Sequence, residues 1–99
     1  MKLTKRVVEQ ADHGQIVRDL DEKLLAQGKK PGKPDRDVLL WDDLLPGFGV
    51  RITSAGVKSY LVQYRDAGRT TRRVTMGRHG VLTAEAARAE AQPLLAAVA

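Results

Sequence analysis

The chain has 99 residues, 42% of them hydrophobic, and a formal net charge of +5. This length fits one small domain with a thin core, and the hydrophobic share is ordinary for a globular protein. The absence of cysteine excludes a disulfide framework and a thiolate metal site. No apolar run approaches the roughly 18 residues that span a bilayer, and charges interrupt the N-terminus where a signal peptide is apolar. We therefore expect a soluble cytoplasmic protein.

The positive charge is concentrated in residues 47–80. That segment holds seven basic side chains and a single acidic one, so the rest of the chain is nearly neutral. Clustered basic charge favours a polyanionic partner, with nucleic acid as the first candidate and an anionic membrane surface as the second. The alternative at this point is a basic surface that only confers solubility.

Two helices are predicted near the N-terminus. The first covers residues 3–11, with Thr4 as N-cap. The second covers residues 12–27, where apolar residues recur at helical spacing and Asp12 precedes Gln15 as in a capping box.

Gly28 is expected to end the second helix. Residues 28–37 (GKKPGKPDRD) combine prolines, glycines and charges, so we interpret them as a solvated linker. The chain is accordingly divided into an N-terminal segment, 1–37, and a sheet-plus-helix domain, 38–99.

The run VLLW at 38–41 can form a short additional strand, and a turn follows it. The adjacent acids Asp42 and Asp43 suggest a metal or general-acid site, but neighbouring residues in a turn usually point apart and no third ligand is near. We favour turn capping by the two carboxylates. Trp41 is interpreted as a core or edge anchor and not as a ligand platform.

Residues 48–53, 58–65 and 71–76 are predicted to form three antiparallel strands, because they are rich in β-formers and bounded by glycine-containing turns. Thr83 then caps a helix whose alanine-rich stripe suits close packing on the sheet. Pro93 is expected to kink or break that helix near residue 92. The predicted fold is α+β: a three-stranded antiparallel sheet, with the short strand at 38–41 as an option, backed by a C-terminal helix and preceded by an N-terminal helical segment.

Side chains alternate across a strand, so the predicted sheet has two distinct faces. The apolar face, expected to pack on the C-terminal helix, consists of Phe48, Val50, Ile52, Tyr60, Val62, Tyr64, Val74 and Met76. The opposite face carries Arg, Thr, Ser and Gln with one Leu, and it lacks acids. A face that is merely solvated would mix the two signs of charge, whereas these side chains hydrogen-bond bases and phosphates.

A β-sheet lying in the major groove is an established mode of DNA binding, and it assigns roles to this face. Direct base readout is assigned to Arg51, Thr53, Leu61, Gln63, Arg73 and Thr75, with Leu61 contacting a thymine methyl. Phosphate contacts are assigned to Arg65 and Arg78 and to Lys58, Arg69 and Arg72, which are interpreted as turn residues flanking the sheet. Ser59 and Thr71 complete the predicted DNA-binding set. His13 and His79 are interpreted as surface or turn residues, and we expect no metal or cofactor.

Two alternatives remain open on this pattern. A protein-interaction module would use the apolar stripe at 16–25 and the C-terminal helix as docking surfaces. A double-stranded-RNA binder also has a sheet backed by a helix, but it would need a basic helix face, and the C-terminal helix here is nearly charge-balanced.

A series of short motifs resembles the N-terminal arm-type DNA-binding domain of phage and genomic-island integrases, which are tyrosine recombinases. In order, the motifs are DLLPGFGVRIT at 43–53, GVKSY at 56–60, QYR at 63–65, RVTMG at 73–77, LT at 82–83 and EAAR at 85–88. The resemblance extends over residues 38–92, and residues 3–11 are similar to the opening segment of such domains. The chain departs from the family pattern at residues 12–37 and at Pro93.

The resemblance implies a small antiparallel sheet, backed by a helix, that binds arm-type sites in double-stranded DNA. It implies other integrase protomers as partners, and neither a membrane nor a small-molecule substrate. The family's catalytic domain would lie downstream of this sequence. We therefore expect a non-catalytic fragment of a tyrosine recombinase, located in the bacterial cytoplasm at the nucleoid.

Overall fold

The computed structural model of the protein describes residues 1–97, so Val98 of the predicted helical stripe lies outside the described residues. The elements in order are α1 (Lys5–Gln10), α2 (His13–Ala26), β1 (Val38–Trp41), β2 (Phe48–Ile52), β3 (Lys58–Arg65), β4 (Thr71–Arg78) and α3 (Ala84–Ala97). The α+β class is confirmed, but the sheet has four strands because residues 38–41 pair with β2. Within residues 1–97, no helix is both long and apolar enough to cross a membrane.

The sheet is antiparallel, with the strands in the order β1-β2-β3-β4, so β1 and β4 are its edges. The turn between β3 and β4 contains Gly68, as predicted, but its left-handed residue is Arg69, with φ of 62°. Asp66 holds this turn together. Its carboxylate accepts hydrogen bonds from the Thr70 amide at 3.0 Å and from Arg72 Nε at 2.9 Å.

The C-terminal helix α3 covers the inner face of the sheet, as predicted. The main core joins strand residues to α3 and to the N-terminal segment, and its buried members are Leu3, Val8, Phe48, Val50, Tyr60, Val62, Ala84, Ala87 and Ala91. The prediction was wrong for Val74, which is 42% exposed, and Tyr64 is only half-buried. The reason is that α3 packs mainly on β3, so the edge strand β4 receives less cover.

The second helix, α2, packs on β1. Val17 of α2, Val38 and Ile52 form a separate buried cluster, so Ile52 is covered by α2. Two other apolar residues of the predicted α2 stripe stay on the surface, Leu20 at 38% and Leu25 at 60% exposure.

The hydrogen bonds at the ends of α1 and α2 show which of the predicted caps form. The Thr4 hydroxyl accepts the Val7 amide at 3.2 Å, which confirms that cap. The capping box was wrong: Asp12 makes no side-chain cap bond, and Gln15 donates instead to Asp19. At the other end of α2, Gly28 has φ of 74°, and its amide and that of the next residue bond the carbonyls of Leu25 and Leu24, which is the Schellman motif.

The N-cap of α3 is confirmed, because the Thr83 hydroxyl accepts the Ala86 amide at 3.1 Å. Pro93 does not break the helix, which continues to Ala97. Proline at this position removes one hydrogen bond, to the carbonyl of Ala89. Because Ala89 is exposed, water can satisfy that carbonyl.

A buried ion pair ties the 42–47 turn to α3. Arg88 Nε and Nη2 donate to the two oxygens of Asp42, each at 3.0 Å, and the side chain of Asp42 has no exposed surface. The same carboxylate accepts the amides of Leu3 at 2.9 Å and Leu45 at 3.0 Å, which confirms turn capping by Asp42. Burial alone would raise the pKa of Asp42, but these hydrogen bonds and the charge of Arg88 hold it below its usual value.

Candidate nucleic-acid interface

The outer face of the sheet is the one opposite α3. The strand register tests which candidate residues share it. Residues paired across antiparallel strands lie on the same face. By this criterion nine of the thirteen candidates are on the outer face, namely Arg51, Ser59, Leu61, Gln63, Arg65, Thr71, Arg73, Thr75 and Arg78. The other four are elsewhere: Lys58 and Arg72 pair with inner-face residues, while Thr53 and Arg69 lie in turns.

The arginines of the outer face are held by neutral acceptors. Arg73 Nε donates to Gln63 Oε1 at 2.6 Å, and Arg51 Nη2 lies 3.4 Å from Thr75 Oγ1. None of the four strands contains an acidic residue, so these contacts orient the guanidinium groups without neutralising their charge. The outer face therefore presents ordered cations that lack a carboxylate partner on the sheet.

A β-bulge brings Arg78 to this face. Tyr60 pairs with Gly77 and Leu61 pairs with Thr75, so Met76 has no cross-strand partner. Strict alternation would have placed Arg78 on the inner face, whereas the extra residue puts it opposite Ser59. A one-residue slip of this kind is not visible in the hydrophobic pattern.

The predicted phosphate-contact residues are not equivalent. Arg69 is exposed at the tip of the β3–β4 hairpin. Arg72 is already paired with Asp66, and its hydrogen bond is the main reason why the pKa of Asp66 is below the usual value. Lys58 lies on the inner side, where its Nζ donates to the Glu9 carbonyl at 3.1 Å.

The far end of the sheet holds a small pocket and a histidine that was interpreted as a surface or turn residue. The pocket has a volume of about 260 Å³ and is lined by Gly56, Val57, Lys58, Arg78 and His79. His79 Nδ1 lies 2.6 Å from the buried Tyr60 hydroxyl, so His79 is tied to the core. Burial and the nearby charge of Glu9 raise the pKa of Tyr60 to about 12, so its hydroxyl stays protonated in this contact at neutral pH.

Two outer-face residues differ from expectation in their exposure. Leu61 faces outward but has no exposed surface, so in the free protein it offers nothing to a thymine methyl. Trp41, interpreted as a core or edge anchor, lies on the edge strand β1, is 38% exposed and pairs with Gly49, which pairs with Leu61. The register therefore places Trp41 on the outer face, and no local signal in the sequence shows this because it depends on how β1 pairs.

The described residues contain no cluster of three or more acidic or histidine side chains that could hold a metal ion. Both oxygens of Asp42 are engaged by Arg88 and two backbone amides. Asp42 is thus not available to hold a metal ion, and the outer face of the sheet presents a basic, hydrogen-bonding surface.

Comparison with known families identifies the family of this chain. The sequence model of a family described as an arm DNA-binding domain matches residues 3–99. No curated protein and no solved structure matches the chain. The matched family is a DNA-binding module and not a catalytic one. Because the match extends over almost the whole chain, the protein belongs to the arm DNA-binding domain family, an arm-type domain found in integrases.

Proposed function

We propose that this chain is the arm-type DNA-binding module of a site-specific integrase, and that it inserts the outer face of its sheet into the major groove of double-stranded DNA. The observation that carries the proposal is the acid-free outer face with its oriented arginines. A protein surface that only promotes solubility would have carboxylates among these cations. Base edges and phosphates supply the negative partners that the sheet itself lacks.

Base readout is assigned to residues in the middle of the outer face. Arg73 suits the two acceptors of a guanine, and Gln63 suits the donor and acceptor of an adenine. The bond between Arg73 and Gln63 uses the Nε of the arginine and leaves both terminal nitrogens free for a base. Arg51 and Thr75 form the next contact along the sheet. Ser59 and Thr71 surround this centre, and Thr53 reaches the groove from its turn. Arg65, the last residue of β3, keeps its assignment to a phosphate contact.

Phosphate contacts are assigned to the two ends of the sheet. Arg69 at the hairpin tip meets the backbone on one side, and Lys58 with Arg78 forms a basic pocket on the other. Arg72 contributes less, because Asp66 already neutralises it. In this arrangement the face specifies sequence while its ends position the domain.

In the full-length integrase this module would hold the recombinase on arm-type sites and help to assemble protomers around DNA in the cytoplasm, at the nucleoid. Catalysis, by a tyrosine recombinase domain, would then lie outside the present sequence. Double-stranded RNA is a poorer fit, because the major groove of an A-form helix is too deep and narrow to admit a sheet.

Two steps test the proposal. Duplexes that bind the protein are first selected from a random-sequence DNA pool, and the tightest-binding duplex is then titrated across salt concentrations. If about five phosphates are contacted, log affinity falls against log salt with a slope of roughly −4 to −5. The matching RNA duplex is the control and should bind more weakly at every salt concentration. Failure to bind duplex DNA at low ionic strength would contradict the proposed function.

A further inference from the structure

The edge strand β1 carries an aromatic side chain, Trp41, onto the outer face. The indole of Trp41 lies over Gly49 of the neighbouring strand, where an added Cβ would lie 2.7 Å from Cε3 and 3.1 Å from Cζ3 of the ring. Gly49 therefore leaves room for the ring to lie against β2. Any larger residue at this position would push the indole away from the sheet.

Trp41 supplies the exposed apolar surface of its cross-strand row. The row runs Trp41, Gly49, Leu61, Thr75, and within it Leu61 is fully buried while Trp41 is 38% exposed. Arg51 lies in the next row, beside Leu39 of the same strand as Trp41. Trp41 is thus a diagonal neighbour, in register, of a cationic residue of the proposed DNA-binding face.

The width of the sheet determines what the indole meets in a complex. Four strands at about 4.8 Å spacing place β1 roughly 14 Å from β4. The major groove is about 12 Å wide, so a sheet with β3 and β4 on its floor has β1 at the wall. That wall consists of deoxyribose and phosphate, which present apolar C–H groups to a flat ring and an acceptor to an indole N–H.

We infer that Trp41 is a DNA-contacting residue, and that its exposed ring packs against the sugar–phosphate wall of the groove at the β1 edge. This inference rests on the proposed function, since it takes duplex DNA as the ligand. Trp41 replaces Leu61 as the apolar contact of the face. Because the contact is made with the backbone, it adds affinity for every sequence and discriminates among none.

The wild-type protein itself provides the test, because Trp41 is the only tryptophan in the chain. DNA binding is measured independently, by the anisotropy of a labelled duplex selected from a random pool. In the same mixtures, quenching of tryptophan fluorescence by acrylamide reports the exposure of the indole. We expect the quenching constant to fall at least twofold as the duplex saturates.

Variants extend the test to affinity. Trp41→Ala should weaken binding to selected and unselected duplexes alike, by about tenfold, through lost apolar contact. Trp41→Phe keeps an aromatic cover over Gly49 and should lose less, which guards against an effect of misfolding. Leu94→Ala is the matched control, since Leu94 is 46% exposed on α3, the helix that covers the inner face. The Leu94→Ala variant should bind DNA with the affinity of the wild type.

The possible outcomes distinguish a failure of the Trp41 contact from a failure of DNA binding by the whole domain. If anisotropy shows binding while acrylamide quenching is unchanged, Trp41 does not contact DNA although the proposed function stands. If Trp41→Ala changes affinity for the selected duplex only, the contact is to a base and the wall assignment is wrong. If no duplex binds, the proposed function fails and the inference fails with it.

Discussion

The two sides of the sheet use arginine in opposite ways. Arg88, on the inner side, forms two 3.0 Å hydrogen bonds to a carboxylate with no exposed surface, and it lies 5.6 Å from the centre of the Phe48 ring. Arg73, on the outer side, is exposed and contacts only the neutral oxygen of Gln63. The first guanidinium is paired with a carboxylate inside the protein, whereas the second has no carboxylate partner on the sheet and keeps its charge available for a ligand.

The comparison shows that two residues of the same type can have different roles, and that the group paired with each arginine decides which role it has. A desolvated guanidinium requires a carboxylate, and once paired it holds structure together. An exposed guanidinium beside a neutral acceptor is oriented but remains unneutralised, which suits phosphate or base recognition. Variants on the two sides should therefore change different observables.

The largest effect is expected on the inner side. Arg88→Met places an unbranched apolar side chain near the Phe48 ring, but it removes the cation and leaves Asp42 buried without its counter-charge. The free energy of unfolding should fall by about 3–5 kcal/mol, as measured by urea denaturation. For a domain of this size that is a large share of the total stability.

Arg18→Met is the matched control, because Arg18 is exposed on α2 and bonds only Gln15. It should change stability by less than about 0.5 kcal/mol. The folded fraction of Arg88→Met should bind DNA with wild-type affinity. An Arg88→Met protein as stable as the control would show that the pair does not hold α3 to the turn.

Acid should weaken the same contact. The folded pKa of Asp42 is below its ordinary value of 3.8, so the stabilisation is complete above that value and is lost as pH falls through the folded pKa. Asp42→Asn should therefore lose less stability than the wild type when pH is lowered below about 4. The acid dependence that remains should come partly from Asp66, whose pKa is also depressed. Identical pH profiles for wild type and Asp42→Asn would contradict this assignment.

A smaller effect is expected on the outer side, in binding and not in stability. Arg73→Ala should cost about 1–3 kcal/mol of discrimination at one base pair and relax sequence preference there. The neighbouring Arg72→Ala is the matched comparison, because Arg72 is on the inner side and paired with Asp66. Binding profiles across a library of duplexes measure both. If the two variants behave alike, our separation of base readout from positioning is wrong.

The smallest effects are expected at the hairpin tip, where stability and binding should move in opposite directions. Arg69 occupies a left-handed conformation that costs a non-glycine residue roughly 1–2 kcal/mol. Arg69→Gly should therefore stabilise the fold by about 1 kcal/mol while weakening binding to all duplexes alike. The salt slope should become shallower by about 0.9, the value for one phosphate.

Arg69→Lys separates the two contributions at the hairpin tip. It retains both the charge and the strained backbone, so stability and salt slope should stay near wild type. An unchanged salt slope in Arg69→Gly would show that the hairpin tip does not contact a phosphate.

The sequence by itself determined three strands, the alanine-rich helix behind them and the location of the positive charge. These follow from local signals: β-rich runs bounded by turns, the Thr83 cap, and arginines clustered in one segment. Even the left-handed stop at Gly28 could be predicted, since it depends only on neighbouring residues.

Only the tertiary structure decided which side chains the outer face exposes. Arg78 reaches that face through the bulge at Met76, and Trp41 reaches it because β1 pairs with β2. Leu61 lies on the outer face as expected, yet it is buried. Arg88 pairs with Asp42, which is 46 residues away in the sequence. The physical reason is that alternation is a property of one strand, whereas register, cover and desolvation depend on residues far apart in sequence.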